Sequence, residues 1–125
     1  MYVKGKSEGD MLKVELGFVH YLEDLRETAG LKSVDIANIV DVSEATVSRW
    51  GKGMALPHPK TQLMLSDLHY VVNRLRDSYT RDEARLWLYS RHPQLGGERA
   101  VDVIADGRAE AVLTVIERLD SAAFI

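Results

Sequence analysis

The sequence predicts an all-α protein, and three observations carry that prediction. Apolar residues recur at three- and four-residue steps through most of the chain, helix-start and helix-stop residues bracket those runs, and no convincing strand pattern interrupts them. Residues 1–9 are polar and glycine-bearing and are expected to be disordered. From Asp10 to Ala29, the residues Phe18, Tyr21, Leu22, Leu25 and Ala29 line one face of a first helix, which stops before Gly30. Ser33 and Ser43 are expected to cap two short helices reaching about Val40 and Trp50. Gly51, Gly53 and Pro57 then break the pattern. Pro59 opens a long fourth helix, with Leu63, Leu65, Leu68, Val71, Val72 and Leu75 as its apolar stripe down to about Ser78. Thr80 and Glu83 have the spacing of a capping box, in which each side chain takes a free backbone N–H of the other residue. The helix they start carries Ala84, Leu86, Trp87 and Leu88 and ends before His92-Pro93. Gly96 and Gly97 turn the chain into a short helix closed at Gly107, and a last helix from about Arg108 bears Val112, Leu113, Ile116 and Leu119.

With 125 residues, 46% of them hydrophobic, the chain can bury one ordinary core, or a small core with an appended helical unit. We expect the second arrangement: a first unit over 10–78 and a second over 79–125. The absence of cysteine removes disulfides, thiolate zinc sites and cysteine nucleophiles together, and fits a reducing compartment. No stretch approaches a membrane span and the start lacks the apolar run of a signal peptide, so a cytoplasmic protein without membrane contact is expected. His20, His58, His69 and His92 are scattered, and Asp102 and Asp106, although they share a helix face, have no base, nucleophile or phosphate loop beside them. An enzyme, a metal site and a cofactor are therefore not expected. The aromatic residues Phe18, Trp50, Tyr70, Tyr79 and Trp87 are assigned to the core, whereas Tyr89 projects to another side of its helix from Trp87 and is the better contact residue.

A net charge of -3 argues against a protein that coats nucleic acid by bulk attraction. Between Ser43 and Lys60, however, Glu44 is the single acid while Arg49, Lys52 and Lys60 are basic, so a small positive window survives. In VDIANIVDVSEATVSRW two helices separated by about three residues must cross steeply, which demands a small residue at their contact. Ala37 supplies it, and Ile36, Val40, Val42, Val47 and Trp50 pack around it. If Val47 and Trp50 face inward, Glu44, Ala45, Ser48, Arg49 and Lys52 turn outward with Thr46 at the boundary. Arg49 can then fork onto a guanine or clamp a phosphate, Thr46 and Ser48 can bond phosphates or base edges, Lys52 sits near the backbone, and Glu44 can accept from a cytosine amine. This stretch resembles the Xre-type helix-turn-helix domain. Asp41 stands where that family usually has Gly in the turn, and Asp is among the few residues that tolerate a left-handed conformation. One such unit makes few contacts, so the expected reader of operator DNA is a homodimer spanning half-sites about 34 Å apart.

The second half, RDEARLWLYSRHPQLGGERAVDVIADGRAEAVLTVIERL, resembles the C-terminal domain of Xre/MbcA/ParS-type antitoxins. The resemblance rests on Trp87, Leu95, Gly96, Gly97, Asp102, Gly107, Val112 and Leu113, with Ala100 standing where that family usually has Pro. It implies an antitoxin that covers the active-site mouth of a cognate RES-domain toxin, an enzyme that consumes NAD, and that represses its own operon. The toxin-binding residues it suggests are Tyr89, Arg99 and Asp102 together with the tail Ala122, Ala123, Phe124 and Ile125, whose apolar side chains end beside a free carboxylate. The alternative is a stand-alone dimeric helix-turn-helix transcriptional regulator that uses its second half only to dimerise.

Overall fold

The computed structural model describes the backbone of residues 8–122 and the side chains from Phe18 to Ala122. Among them are seven α-helices: α1 (Glu8–Ala29), α2 (Ser33–Val40), α3 (Glu44–Gly51), α4 (Pro59–Leu75), α5 (Arg81–Tyr89), α6 (Ala100–Ala105) and α7 (Ala109–Ala122). The all-α class is therefore observed. Helix α1 begins two residues before the Asp10 expected from sequence, inside the segment assigned to disorder; residues 1–7 of that segment lie outside the described residues.

Most helix ends follow local chemistry. The carbonyl of Arg26 accepts from the N–H of Gly30, which takes φ 65° to end α1. Ser43 caps α3 by accepting from the N–H of Thr46 at 3.1 Å. The capping box of α5 is complete, with the N–H of Thr80 donating to Glu83 Oε1 at 2.9 Å and the N–H of Glu83 to Thr80 Oγ1 at 3.3 Å. That backbone bond is the main reason the Glu83 carboxyl is held below its ordinary pKa.

Ser33 does not cap α2. It is the first helical residue, Lys32 precedes it as the cap position, and the Asp35 carboxylate one turn inside accepts the N–H of Lys32 at 2.9 Å. The expected absence of strands is also corrected. Arg91–His92 (β1) and Glu98–Arg99 (β2) form a two-residue antiparallel ladder, pairing Arg91 with Arg99 and His92 with Glu98. A short 3-10 turn, Pro93–Leu95, and the left-handed Gly96 and Gly97 (φ 66° and 81°) reverse the chain between them. No atom crowds either glycine, so their requirement is conformational rather than steric.

One continuous cluster of buried residues runs from Leu25 on α1 to Ile116 on α7. Helix α1 packs on α3, α4 and α5, while α4 also packs on α6 and α7, so α4 is the spine around which both halves gather. Leu65, Leu68, Val71, Val72 and Leu75 of α4 are fully buried, as expected. Leu63 and Tyr70 are not: they are 68% and 55% exposed. They fall on the opposite stripe of α4, because a helix buries the positions facing its neighbours and leaves those about half a turn away in solvent. Leu86 of α5 is likewise exposed. His69 stacks on Tyr21 at 4.3 Å between ring centres, lies 2.9 Å from Asp24 and so ties α4 to α1. Among the described residues no helix is long and apolar enough to cross a membrane, and no group of His, Asp and Glu is placed to hold a metal ion.

Candidate functional site

Helices α2 and α3 are joined by Asp41–Ser43. The N–H of Val42 donates to the Ala37 carbonyl at 3.0 Å, and Asp41 takes φ 57° and ψ 56°, the left-handed conformation that closes α2. Ile36, Ala37, Val40, Val47 and Trp50 are buried and Val42 is half-buried, so the two helices meet through the small side chain of Ala37 and its apolar surround. Opposite that packing, Glu44, Ala45, Arg49 and Lys52 are exposed, while Thr46 and Ser48 are half-buried. A chain of hydrogen bonds organises this face. Ser43 Oγ and Thr46 Oγ1 are 2.7 Å apart, and Arg49 Nη2 donates to Thr46 Oγ1 at 3.2 Å. One donor of the exposed guanidinium is used to hold it, which leaves four of its five N–H groups outside that bond.

A second constellation lies where α2 meets α5 and α6. Tyr89, Arg99 and Asp102 converge here with Asp35, Asn38 and Ile39 around a hollow of about 180 Å³. Tyr89 is flanked by two guanidinium groups, Arg85 at 5.0 Å and Arg99 at 5.7 Å from its ring centre. Burial is the main cause that raises the Tyr89 phenol above its ordinary pKa, with the Asp35 carboxylate adding to it. Arg99 and Asp102 do not offer two free charges: Arg99 forks onto the Asp102 carboxylate at 2.8 and 3.0 Å, and this pairing lowers the Asp102 pKa. Next to them, Arg108 forks onto Glu98 at 3.0 and 2.9 Å and reaches Asp106 at 3.0 Å. The surface of α6 thus presents hydrogen-bonded ion pairs, whose remaining lone pairs and donors can meet a polar partner. Ala122, from the expected tail, is exposed at the end of α7; Ala123, Phe124 and Ile125 lie outside the described residues.

Sequence reading missed the residue that supports this hollow from below. Arg85 forks onto Asp35 at 2.8 and 3.0 Å and also donates to the Gly30 carbonyl at 2.9 Å. The partners are 50 positions apart and no local pattern joins them. The only signal in the sequence was an acidic residue in the first turn of α2, which helix ends attract for their own reasons. The Arg85 hydrogen bond is the largest influence holding the Asp35 carboxyl below its ordinary range. A carboxyl whose pKa is lowered by folding contributes stability that is present above the ordinary carboxylate range and is lost as pH falls through the folded-state pKa. Asp35→Asn is therefore expected to cost about 1–3 kcal/mol at neutral pH. Chemical denaturation should show the gap from wild type closing in acid; a gap that persists unchanged at the lowest pH would mean the charge is not its source.

The chain resembles known proteins in sequence and in fold. It is 30% identical over 99 residues to the mycobacterial cidal antitoxin MbcA of Mycobacterium tuberculosis and of Mycobacterium bovis, a match that covers 79% of this chain and 88% of each relative. The chain belongs to the MbcA antitoxin family. A probable mycobacterial cidal antitoxin of M. tuberculosis is also 30% identical, over 82% of this chain and 87% of its own length. The fold agrees with a chain in the crystal structure of the M. tuberculosis MbcT–MbcA toxin–antitoxin complex at a TM-score of 0.74 and 28% identity, covering 86% of this chain and 96% of that one. No protein-family model matches the chain. In this MbcA-family member the α2–α3 face and the Tyr89 hollow are both built on the same α2 helix, whose Asp35 belongs to one and whose Ala37 underlies the other.

Proposed function

We propose that the chain is the antitoxin of a RES-domain toxin that consumes NAD, that it acts by covering the mouth of the toxin's active site with its C-terminal region, and that it represses its own operon through α2 and α3. The observation that carries the first part is the likeness, over most of both chains, to a protein chain solved within a toxin–antitoxin complex. The Tyr89 hollow and the chain end beyond α7 are the surfaces offered to the toxin: an aromatic ring between two guanidinium groups, ion pairs with unused valences, and the residues Ala122, Ala123, Phe124 and Ile125. Leu86 of α5, one turn before Ser90, is exposed and adds apolar surface on the same helix as Tyr89.

Operator binding is supported by the α3 face, where Arg49 is held in place by Thr46 and Lys52 follows it at the helix end. An acidic protein can read DNA in this way because only the reading face has to be positive. The test is co-expression with the neighbouring open reading frame while cellular NAD is followed. The expected result is that the neighbour drains NAD and this chain restores it. Removal of residues 122–125 is expected to abolish that rescue while operator binding persists. A harmless neighbour would instead favour the stand-alone regulator, and loss of both activities on removing the tail would count against separate surfaces.

A further inference from the structure

Two residues of like charge stand directly opposite each other in the β1–β2 ladder. Arg91 pairs with Arg99, so the two side chains leave the same face with their Cβ atoms roughly 5 Å apart. Like charges at such a position destabilise a ladder, and this one is only two residues long. The ion pairs around the Tyr89 ring show which of the two charges is left over. Arg85 is taken by Asp35 and Arg99 by Asp102. On the neighbouring surface, Glu98 and Asp106 are both taken by Arg108. Arg91 has no carboxylate partner among the described residues: it is exposed, and its Nη1 donates to the Gly97 carbonyl at 3.1 Å. The Asp102 carboxyl is held below its ordinary pKa first by the Arg99 hydrogen bond and also by the charge of Arg91, so that charge lies within reach of the hollow that Asp102 lines. Three guanidinium groups are thus set against two carboxylates, and Arg91 is the unmatched one.

We infer that Arg91 receives a carboxylate side chain on the surface of the cognate toxin, and that this contact beside the Tyr89 ring helps to decide which toxin the chain accepts. The inference rests on the toxin-binding half of the proposed function. The bond to Gly97 uses one of the five N–H groups of Arg91 and leaves the Nε–Nη2 edge, which can fork onto a carboxylate. Gly96 and Gly97, both left-handed, set the turn from which this guanidinium is held, so part of the entropy cost of ordering it is met before the partner arrives. An anion placed between Arg91 and Arg99 also relieves the repulsion across the ladder, which exists only while the site is empty of a partner. A protein carboxylate suits the site better than a DNA phosphate does. The cation stands near a half-buried tyrosine and a hollow walled by Ile39 and Val101, the mixture of arginine, aromatic and apolar groups found at protein contacts. Asp35 and Asp102 would repel the closely spaced charges of a phosphate backbone, whereas one carboxylate meets the single unmatched cation. A toxin with a basic residue at that place would be rejected, which makes Arg91 a determinant of specificity.

The test is the affinity of the full chain for the purified product of the neighbouring open reading frame, measured for wild type, Arg91→Gln, Arg91→Glu and Arg76→Glu. Arg76 is exposed just beyond α4, and its variant makes the same change of net charge as Arg91→Glu, so it accounts for long-range attraction. Arg91→Gln is expected to weaken binding about tenfold and Arg91→Glu about a hundredfold, against about threefold or less for Arg76→Glu. Arg91 is exposed and Arg91→Gln removes the like charge opposite Arg99, so this variant is expected to melt within roughly 3 °C of wild type. A melting temperature lowered further than that would show that Arg91 is kept for the fold and would overturn the inference. Titration of random-sequence duplex DNA at low salt with the same variants covers the other partner: loss of DNA binding with toxin binding intact assigns Arg91 to phosphate and overturns the inference as well. A wild type that does not bind the neighbour's product removes the toxin-binding reading and the inference with it. A wild type that binds, with Arg91→Glu no weaker than Arg76→Glu, removes the inference alone.

Discussion

Trp87→Ala is expected to lower the unfolding free energy by about 3–5 kcal/mol. Trp87 is the largest side chain that α5 contributes to the core, and it is only 8% exposed. The His92 ring lies against it with centroids 4.3 Å apart, and His92 Nε2 is 2.8 Å from the Trp87 carbonyl. A carbonyl cannot donate, so the ring nitrogen must carry the proton, which fixes both the tautomer and the orientation of His92. The indole is therefore the platform on which β1, the Pro93–Leu95 turn and the two left-handed glycines are set. Removing it leaves a cavity that the surrounding helices can only partly fill, and releases the ladder that ends in Arg99. For a chain of this length the loss corresponds to a melting temperature roughly 10–20 °C lower. Thermal and denaturant unfolding should both report it, and Trp87→Phe should recover much of the loss. A cost below about 1 kcal/mol would show that the site collapses freely and that Trp87 does not organise the turn.

What could be read from the sequence divides along the range of the interactions involved. The capping box of Thr80 and Glu83, the stop at Gly30, the cap at Ser43 and the left-handed turn at Asp41 are all settled within four residues, and each was legible. The packing of Ala37 among Ile36, Val40, Val47 and Trp50 was legible too, because helical periodicity and the shortness of the turn leave few ways to bury those residues. Failures came where a distant partner decided the outcome. Ser33 lost the cap position because Asp35, itself gripped by Arg85 from α5, is there to take the Lys32 N–H. The β1–β2 ladder is two residues long and depends on Gly96 and Gly97 returning the chain, so no alternation could reveal it. Leu63 and Tyr70 have core-like side chains on a helix whose other residues are buried, and periodicity alone cannot say that their stripe has no neighbour within one copy. The same limit applies to the Tyr89 hollow. Tyr89, Arg99 and Asp102 could be named from the second half of the sequence, but Asp35 and Asn38 enter only because α2 packs on α6.

Arg49→Ala is expected to weaken operator binding by about tenfold for each half-site, and so by about a hundredfold for a dimer that reads two. The geometry explains why so much should rest on one side chain. Thr46 Oγ1 accepts from Arg49 Nη2, Ser43 Oγ in turn approaches Thr46 Oγ1, and the N–H of Thr46 is fixed by the same serine, so the guanidinium is oriented before any DNA arrives. Preorganised in this way, it gives up less rotamer entropy on binding than a free arginine would. Whether it grips a guanine or a phosphate is decided by how the loss behaves. Loss of a forked contact to guanine relaxes discrimination at one base pair of each half-site and changes affinity little on sequences that lack that guanine. Loss of a phosphate contact weakens all sequences alike and lowers the salt dependence by about one counterion per contact. Titrations of wild type and variant on operator and scrambled DNA at several salt concentrations distinguish the two. Arg49 lies on α3, and the Tyr89 hollow is formed by α2, α5 and α6, so neutralisation of the toxin should persist in the same variant. Undiminished operator binding would remove α3 as the reading helix, and loss of neutralisation alongside it would mean that the two surfaces are not separate.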